Sequence, residues 1–306
     1  MLPWELLKTV IKGNILENEP LSKHTSFGIG GPARFVIYPL DKQDLIRILK
    51  FADKYKMPFF FLGSGSNLLV SDAGFEGLVI TLEKSFKKLI FEDNLVQAEA
   101  GVMLGKLVKY CKQNQLTGME SLIGVPGTLG GAIFMNAGAF GSEISKKLQE
   151  VTVISLKGIE KKYSRSEMKF GYRSSNFTTE EIIIAAKFEL DFSIKSTIHD
   201  LQKLSSKTRK KSQPLKFRSA GSIFKNPSAD KPAGYLIDQA GLKGIRIGGA
   251  EISSKHANFI ININNATAEN VAQLIGRARK KVYKNFGIKL ELEIKTLGFE
   301  SGKFDR

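Results

Sequence analysis

Apolar positions along this chain recur with two different periods, and each switch between them predicts a change of element. Residues 6–11 read as a short helix, and 33–38 alternate as a strand does. Asp41 then offers an N-cap with Asp44 three residues on, and Leu45, Ile48, Leu49 and Ala52 follow at helical spacing. Apolar runs at 58–62 and 77–82 read as strands. Residues 33–82 therefore predict strand, helix, strand, glycine-rich loop, strand. Strands around 89–100 precede a helix near 103–115 whose apolar face is Leu104, Leu107, Val108 and Cys111, with Gly118 helping to end it. Further strands are expected at 150–156 and 182–192. Residues 197–212 are polar, basic and helical in character, and Pro214 follows. The clearest helix is 267–286. Thr267 caps it, Val271, Leu274, Ile275, Ala278 and Val282 form one face, and Lys280, Lys281 and Lys284 suit its C-terminal end. Gly287 is placed to close it in the left-handed conformation. Residues 289–295 alternate strictly, which predicts a strand.

No apolar run approaches the ~18 residues of a membrane span, and residues 1–8 carry neither an apolar signal core nor a small-residue cleavage site. A cytoplasmic protein with no membrane partner is expected. A length of 306 residues suits about two domains, and a composition shift near Ser193 puts the boundary at 193–200. One cysteine excludes an intramolecular disulfide and a Cys-rich zinc site. Three scattered histidines (His24, His199, His256) lead us to expect no metal. Lys and Arg number 46 against 30 Asp and Glu, a net charge of +16. Such a field attracts nucleic acid, anionic membrane or small phosphorylated ligands. The densest cluster is Lys203, Lys207, Arg209, Lys210, Lys211, Lys216 and Arg218. It lacks the aromatic interleaving of a base-stacking platform, and a solvated cationic surface explains it equally well.

Glycine placement is the stronger signal. Gly28-Ile29-Gly30-Gly31-Pro32-Ala33 has the spacing of a dinucleotide fingerprint, but Pro32 and a strand-like run follow where a helix is required. A Rossmann reading is rejected, and no Walker A pattern is present. Gly63-Ser64-Gly65-Ser66-Asn67-Leu68 follows an apolar strand. Alternating glycines let backbone N–H groups approach a phosphate closely, although a tight connection between strands has the same composition. Gly124 to Ala132 forms a second such loop, which Met135 to Gly141 continues. Two loops of this kind favour an elongated ligand such as a dinucleotide.

These segments carry a resemblance. Thr25 to Gly31, Leu62 to Asn67, Ile123 to Gly131, Phe170-Gly171-Tyr172-Arg173-Ser174-Ser175, Gly221-Ser222-Ile223-Phe224-Lys225-Asn226-Pro227, Leu236 to Gly244 and Leu290 to Lys295 occur in the order found in the UDP-N-acetylenolpyruvoylglucosamine reductase (MurB) family. The chain resembles that flavoenzyme family over nearly its whole length. The resemblance implies an α+β fold: a two-lobed FAD-binding domain of the PCMH/vanillyl-alcohol-oxidase type at 1–195, with lobes at about 20–84 and 85–195, and a smaller α+β substrate-binding domain at 196–306. FAD would be held by Gly63, Ser64, Gly65, Ser66, Asn67, Leu68, Gly101, Pro126, Gly127, Thr128, Gly130, Gly131, Asn136, Ala137 and Gly138.

The implied reaction has two halves. NADPH reduces FAD, and the UDP-sugar enolpyruvyl ether then takes a hydride on its vinyl methylene carbon and a proton on the adjacent carbon. By the same resemblance Ser222 is the proton donor, and Arg173 and Glu293 stabilise the enol-like intermediate. Tyr172, Lys225, Asn226 and Gln239 are expected at the substrate, with Arg218 and Lys243 as further contacts; His256 and Asn258 lie on a strand-like run that could serve the site. Read without the family, Ser222 is a turn serine, Arg173 a surface arginine, Glu293 part of a charged strand face, and Cys111 core. Residues 193–214 contain no tyrosine, so the chain looks like the shorter type II branch, which lacks a tyrosine loop over the substrate. The basic 203–218 segment is one candidate for closing the site. The expectation is a monomer with no nucleic-acid partner. Two alternatives stand: another FAD oxidoreductase of the same fold, and a basic nucleic-acid-binding protein with no flavin and a steep salt dependence.

Overall fold

The computed structural model describes residues 3–304. Met1 and Leu2, where the leaderless reading of the N-terminus begins, lie outside the described residues. The chain forms two compact units. The first comprises Met1–Glu17, Phe35–Ser64 and Gly77–Thr208, and the second Asn18–Arg34, Gly65–Glu76 and Arg209–Arg306. The boundaries fall inside elements. Strands Asn14–Pro20, Pro32–Tyr38 and Phe75–Thr81 and helix Lys195–Ser212 each run from one unit into the other. The sequence reading instead draws one boundary near 195.

The first unit is built on a five-stranded antiparallel sheet. Its order is Glu160–Ser164, Leu148–Ser155, Glu181–Glu189, Leu95–Glu99 and Leu89–Glu92. Alternation along these strands sends Val96, Ala98, Val151, Val153 and Phe188 into the core. Helix Leu104–Gln113 adds Leu104, Leu107, Val108 and Cys111 to the same cluster. Burial pushes the Cys111 thiol up to about 12, so it is an inert core group. Strand Phe59–Leu62 lies parallel to Phe75–Thr81 in a four-stranded sheet with Pro32–Tyr38 and Asn14–Pro20.

Helix Lys42–Lys54 starts where the capping signal puts it, with the Asp41 side chain accepting from Asp44 N at 2.8 Å. Asp44 has a different task from the reciprocal cap. Its fully buried carboxylate accepts from the N–H groups of Lys12, Gly13 and Leu40, each at 2.9 Å, and from Arg47 at 3.0 Å. It fastens the segment after the first helix, Pro3–Val10, to the start of the second.

The second unit packs helices Ala233–Gln239 and Ala268–Phe286 around a core of Phe224, Leu236, Ile237, Val271, Leu274, Ile275 and Val282. A three-stranded sheet orders Arg246–Ile247, Ala250–Ile252 and Ile260–Asn262. Strand Leu68–Val70, which continues the first glycine loop, pairs in parallel with Lys295–Leu297. Helix Ala268–Phe286 has the expected Thr267 cap, here a reciprocal capping box with Asn270, and Gly287 closes it at φ 67°.

Four expectations are corrected. Residues 129–134, read as loop, form a helix, Leu129–Phe134. Residues 289–294 form no ladder; Leu292 makes one isolated bridge to Phe224, and regular pairing begins only at Lys295. Helix Leu104–Gln113 ends at Asn114, with Gln115 at φ 60°, and Gly118 lies beyond the short strand Leu116–Thr117. His256 and Asn258 sit on a turn between strands rather than on one.

Candidate active site

In the first unit the two glycine segments meet. A Cβ on Gly63 would lie 2.7 Å from Thr128 Oγ1, so only glycine permits this approach without displacing Thr128. Next to it, Ser64 Oγ is buried and has no hydrogen-bond partner. Residues 127–130 run beside 100–104. Leu104 N donates to Gly127 O at 2.9 Å, Leu129 N to Val102 O at 2.8 Å, and Gly130 N to Ala100 O at 2.9 Å. A Cβ on Gly130 would stand 3.0 Å from the Ala100 Cβ, and one on Gly101 would stand 2.2 Å from Leu82 O. Here Gly101 and Gly130 serve close backbone packing. Gly127 takes φ 143°, a conformation that side chains resist. Gly131 is looser: a Cβ there would stand 3.6 Å from Thr128 Oγ1, an ordinary contact distance.

Asn136 is fully buried at φ 42°. Its amide donates to Glu143 Oε2 at 2.9 Å and to Gly171 O at 3.0 Å, while its Oδ1 has no partner. Ala137 and Gly138 continue from it, Ala137 N closing on Ala132 O at 2.7 Å and Gly138 pairing with Glu143. The contact with Gly171 fixes the hairpin formed by Phe170–Gly171 and Ser174–Ser175. A second tie runs from Ser175 Oγ to Phe134 O at 2.8 Å. Tyr172 and Arg173 occupy the turn of that hairpin. Arg173 has φ 55°, and its guanidinium stands 5.1 Å from the Tyr172 ring centroid. The glycine-rich stretch thus positions the arginine turn through two side-chain-to-backbone bonds.

The second unit holds the other candidates. Gly65 takes φ 62°, with a Cβ position 2.0 Å from His24 O. The following residues, Ser66, Asn67 and Leu68, lead into strand Leu68–Val70. The Asn67 amide donates to Glu293 O at 3.1 Å, and Lys295 N donates to Asn67 O at 2.9 Å. Glu293 N donates in turn to Ile223 O at 2.8 Å, and Lys225 N to Glu291 O at 2.9 Å. Backbone bonds therefore align Ser222, Glu293 and the end of the glycine loop in one array. Both Ser222 and Glu293 are half-buried, whereas Glu291 is exposed and pairs with Lys225 at 3.5 Å. Of the two glutamates the family pattern selects the less exposed one.

Asn226 Oδ1 accepts from Ala233 N at 3.1 Å, starting helix Ala233–Gln239. Gln239 lies at the other end of that helix, ~10 Å along its axis at 1.5 Å per residue. Near that end Lys243 pairs with Asp238 at 2.5 Å. Burial lowers the pKa of His256, whose Nδ1 accepts from Asn258 N at 3.3 Å. Asn258 is the residue that sequence reasoning undervalued: buried, it bonds both backbone groups of Phe224. No periodicity marks such a contact, because it depends on a partner 34 positions away.

The residues present fit a diphosphate-bearing cofactor. Gly63 keeps bare backbone beside Thr128, and Ser64 Oγ and Asn136 Oδ1 are polar atoms without partners, as groups reserved for a ligand would be.

Comparison with known proteins agrees. The family model described as the C-terminal domain of UDP-N-acetylenolpyruvoylglucosamine reductase matches residues 213–297. A model described as an FAD binding domain matches 32–162. A UDP-N-acetylenolpyruvoylglucosamine reductase of Caldicellulosiruptor bescii is 43% identical over 295 residues, covering 94% of this chain and 93% of that one. Another, from Syntrophus aciditrophicus, is 41% identical over 303 residues, covering 96% and 95%. The crystal structure of the MurB reductase from Thermus caldophilus aligns with TM-score 0.81 at 34% identity, over 94% of this chain and 100% of that one. The expected fold class, an α+β chain with an FAD-binding domain, is borne out. Motif order, site geometry and similarity along almost the entire length lead to one assignment: this chain belongs to the UDP-N-acetylenolpyruvoylglucosamine reductase family.

Proposed function

We propose that this chain reduces the enolpyruvyl ether of UDP-N-acetylglucosamine to UDP-N-acetylmuramate with NADPH as reductant, a cytoplasmic step in peptidoglycan precursor synthesis. The observation that carries the proposal is the backbone array of the second unit. Glu293 N meets Ile223 O at 2.8 Å beside Ser222, and the Asn67 amide meets Glu293 O at 3.1 Å beside the cofactor loop. In functional terms residues 1–195 serve the cofactor and 196–306 the substrate.

FAD, when bound, would supply the redox chemistry that links oxidation of NADPH to reduction of the enolpyruvyl double bond. The Gly63–Leu68 and Pro126–Gly131 segments, with Gly101, Asn136, Ala137 and Gly138, would hold it. Hydride addition places negative charge on an enolate conjugated to the substrate carboxylate. A fixed cation and a hydrogen-bond donor at that oxygen stabilise it before the proton arrives. Arg173 supplies the cation. Glu293 completes with Arg173 the pair that stabilises the enol-like intermediate. Ser222 Oγ–H gives its proton to the adjacent carbon and is reprotonated from solvent, so the substrate gains one hydride and one proton. Tyr172, Lys225, Asn226 and Gln239 bind the UDP-sugar. The mechanism calls for a single chain, without nucleic acid, membrane or metal.

An anaerobic absorption experiment tests this reading. Purified protein should show flavin bands that bleach with NADPH and recover on adding the UDP-sugar enolpyruvyl ether. Bands that bleach without recovering would retain the flavoenzyme and reject the substrate. A colourless protein unable to take up FAD would reject both.

A further inference from the structure

We infer that Asn258 is a positioning residue for the proton-donating serine, a role that rests on the function proposed above. Its side chain is buried, with 3% exposed. Oδ1 accepts from Phe224 N at 2.9 Å, and Nδ2 donates to Phe224 O at 2.8 Å. Its own carbonyl accepts from Ile223 N at 2.8 Å. The next residue, Phe259, bridges to Ser222. Three hydrogen bonds from one asparagine thus fix the two residues that follow Ser222, and the adjacent bridge fixes Ser222 itself.

The geometry has a purpose that plain packing lacks. Ser222 follows Gly221, which takes φ 78° with open space where a Cβ would be. On its other side, Ile223 O accepts from Glu293 N, and Phe224 bridges to Leu292. The segment 222–225 therefore lies between two holders. One is the extended segment bearing Glu293. The other is the turn bearing Asn258, itself tightened by Ser253 Oγ, which accepts from Lys255 N at 3.2 Å and His256 N at 3.3 Å. An amide side chain carries a donor and an acceptor side by side, so it pairs with a residue's N–H and C=O as a neighbouring strand would. A serine is a weak acid whose contribution depends on where its hydroxyl sits. A displacement of ~1 Å in a reacting group costs on the order of 100-fold in rate. Loss of the clamp would consequently slow proton delivery while leaving hydride acceptance from NADPH untouched.

The test separates the two half-reactions by stopped-flow absorbance on the FAD-loaded enzyme. In Asn258→Ala, flavin reduction by NADPH should stay within about twofold of wild type, while reoxidation of reduced enzyme by the UDP-sugar enolpyruvyl ether falls about tenfold or more. Asn258→Asp is isosteric and gives a sharper readout. Protonated, it offers an O–H to Phe224 O and a C=O to Phe224 N–H, restoring the clamp. Ionised, it sets a charge against the Phe224 carbonyl. Its reoxidation rate, divided by that of wild type at each pH, should rise about threefold or more between pH 8 and pH 6, since burial favours the protonated acid. His256, Lys225, Glu291 and Glu293, the charged or titratable groups around this turn, are common to both proteins, so the ratio isolates the change made at position 258. A flat ratio near one, an equal fall in both half-reactions, or loss of the fold in both variants would overturn the positioning role. Failure of wild type to be reoxidised by this substrate would overturn the functional reading and this proposal with it.

Discussion

Two side chains, Ser222 and Asp44, show what a single residue decides in this protein, one for chemistry and one for stability. Ser222→Ala removes the proposed proton donor and nothing else large. NADPH-dependent bleaching should remain within about twofold, and substrate-dependent reoxidation should fall on the order of 100-fold or more, the usual range for a lost general acid. Near-normal turnover would reassign the proton to water or to a neighbour. Asp44 sits outside that chemistry. Burial raises its pKa, but bonds from Leu40 N, Lys12 N, Arg47 and Gly13 N outweigh it, and the carboxyl is held below its usual value. A depressed folded pKa stabilises the protein above the unfolded value near 3.9, and that contribution is lost as pH falls through the folded pKa. Asp44→Ala leaves three backbone N–H groups without their acceptor, which should cost ~3 kcal/mol in urea unfolding at pH 7. Below pH 4 wild type should lose stability with falling pH more steeply than the variant. Equal slopes would show that Asp44 titrates alike in the folded and unfolded chain.

At the level of elements, the glycine loops invite a contrast between two substitutions. Gly63→Ala confronts only the Thr128 side chain, at 2.7 Å, so the fold can adjust while a methyl is added to the loop proposed to hold the phosphates. FAD affinity should fall about tenfold or more with a stability loss of ~1 kcal/mol or less. Gly65→Ala meets backbone, His24 O at 2.0 Å, from a positive φ, and should cost several times as much in thermal unfolding. If Gly63→Ala retained flavin fully, the first loop would be only a strand connection. The elements that the sequence predicts well are those whose stop signals agree with their apolar period. Helix Ala268–Phe286 has Thr267 before it, Gly287 after it and one buried stripe between. Helix Leu129–Phe134 has no such signature: two of its six residues are glycine, and packing against the sheet holds it. The alternation of 289–295 is real as burial, with Leu290 and Ile294 inside. It misled as pairing, because a period of two reports which faces are covered and not whether a neighbour runs alongside. The same limit applies to the site. The glycine loops and the family motifs are local and legible, whereas the Asn258 clamp and the Asn67–Glu293 bond join residues 34 and 226 positions apart.

Across the whole molecule, the net charge of +16 has to be reconciled with the ligands the proposed reaction requires. NADPH, FAD and a UDP-sugar are all polyanions, and a positive field raises their local concentration before any contact forms. The structure narrows which cations take part. Of the densest cluster, Lys203, Lys207, Lys210, Lys211, Lys216 and Arg218 are exposed, but Arg209 is buried and donates to Gln213 Oε1 at 3.2 Å. Arg209 is therefore a structural member of helix Lys195–Ser212, and neutralising it would test folding rather than steering. Steering acts on encounter and not on the bound complex. Raising ionic strength from about 0.05 M to about 0.5 M shrinks the screening length to a few ångströms. It should lower kcat/KM for NADPH about threefold or more while kcat stays nearly constant. Replacing Lys203, Lys207 and Lys210 together by Gln should lower kcat/KM at low salt and flatten the salt dependence if this helix guides the ligands. Unchanged salt dependence in the triple variant would move the guiding charge elsewhere. A wild-type kcat/KM indifferent to salt would mean that the excess of cations serves solvation alone, and that the anionic ligands rely on contacts made after arrival.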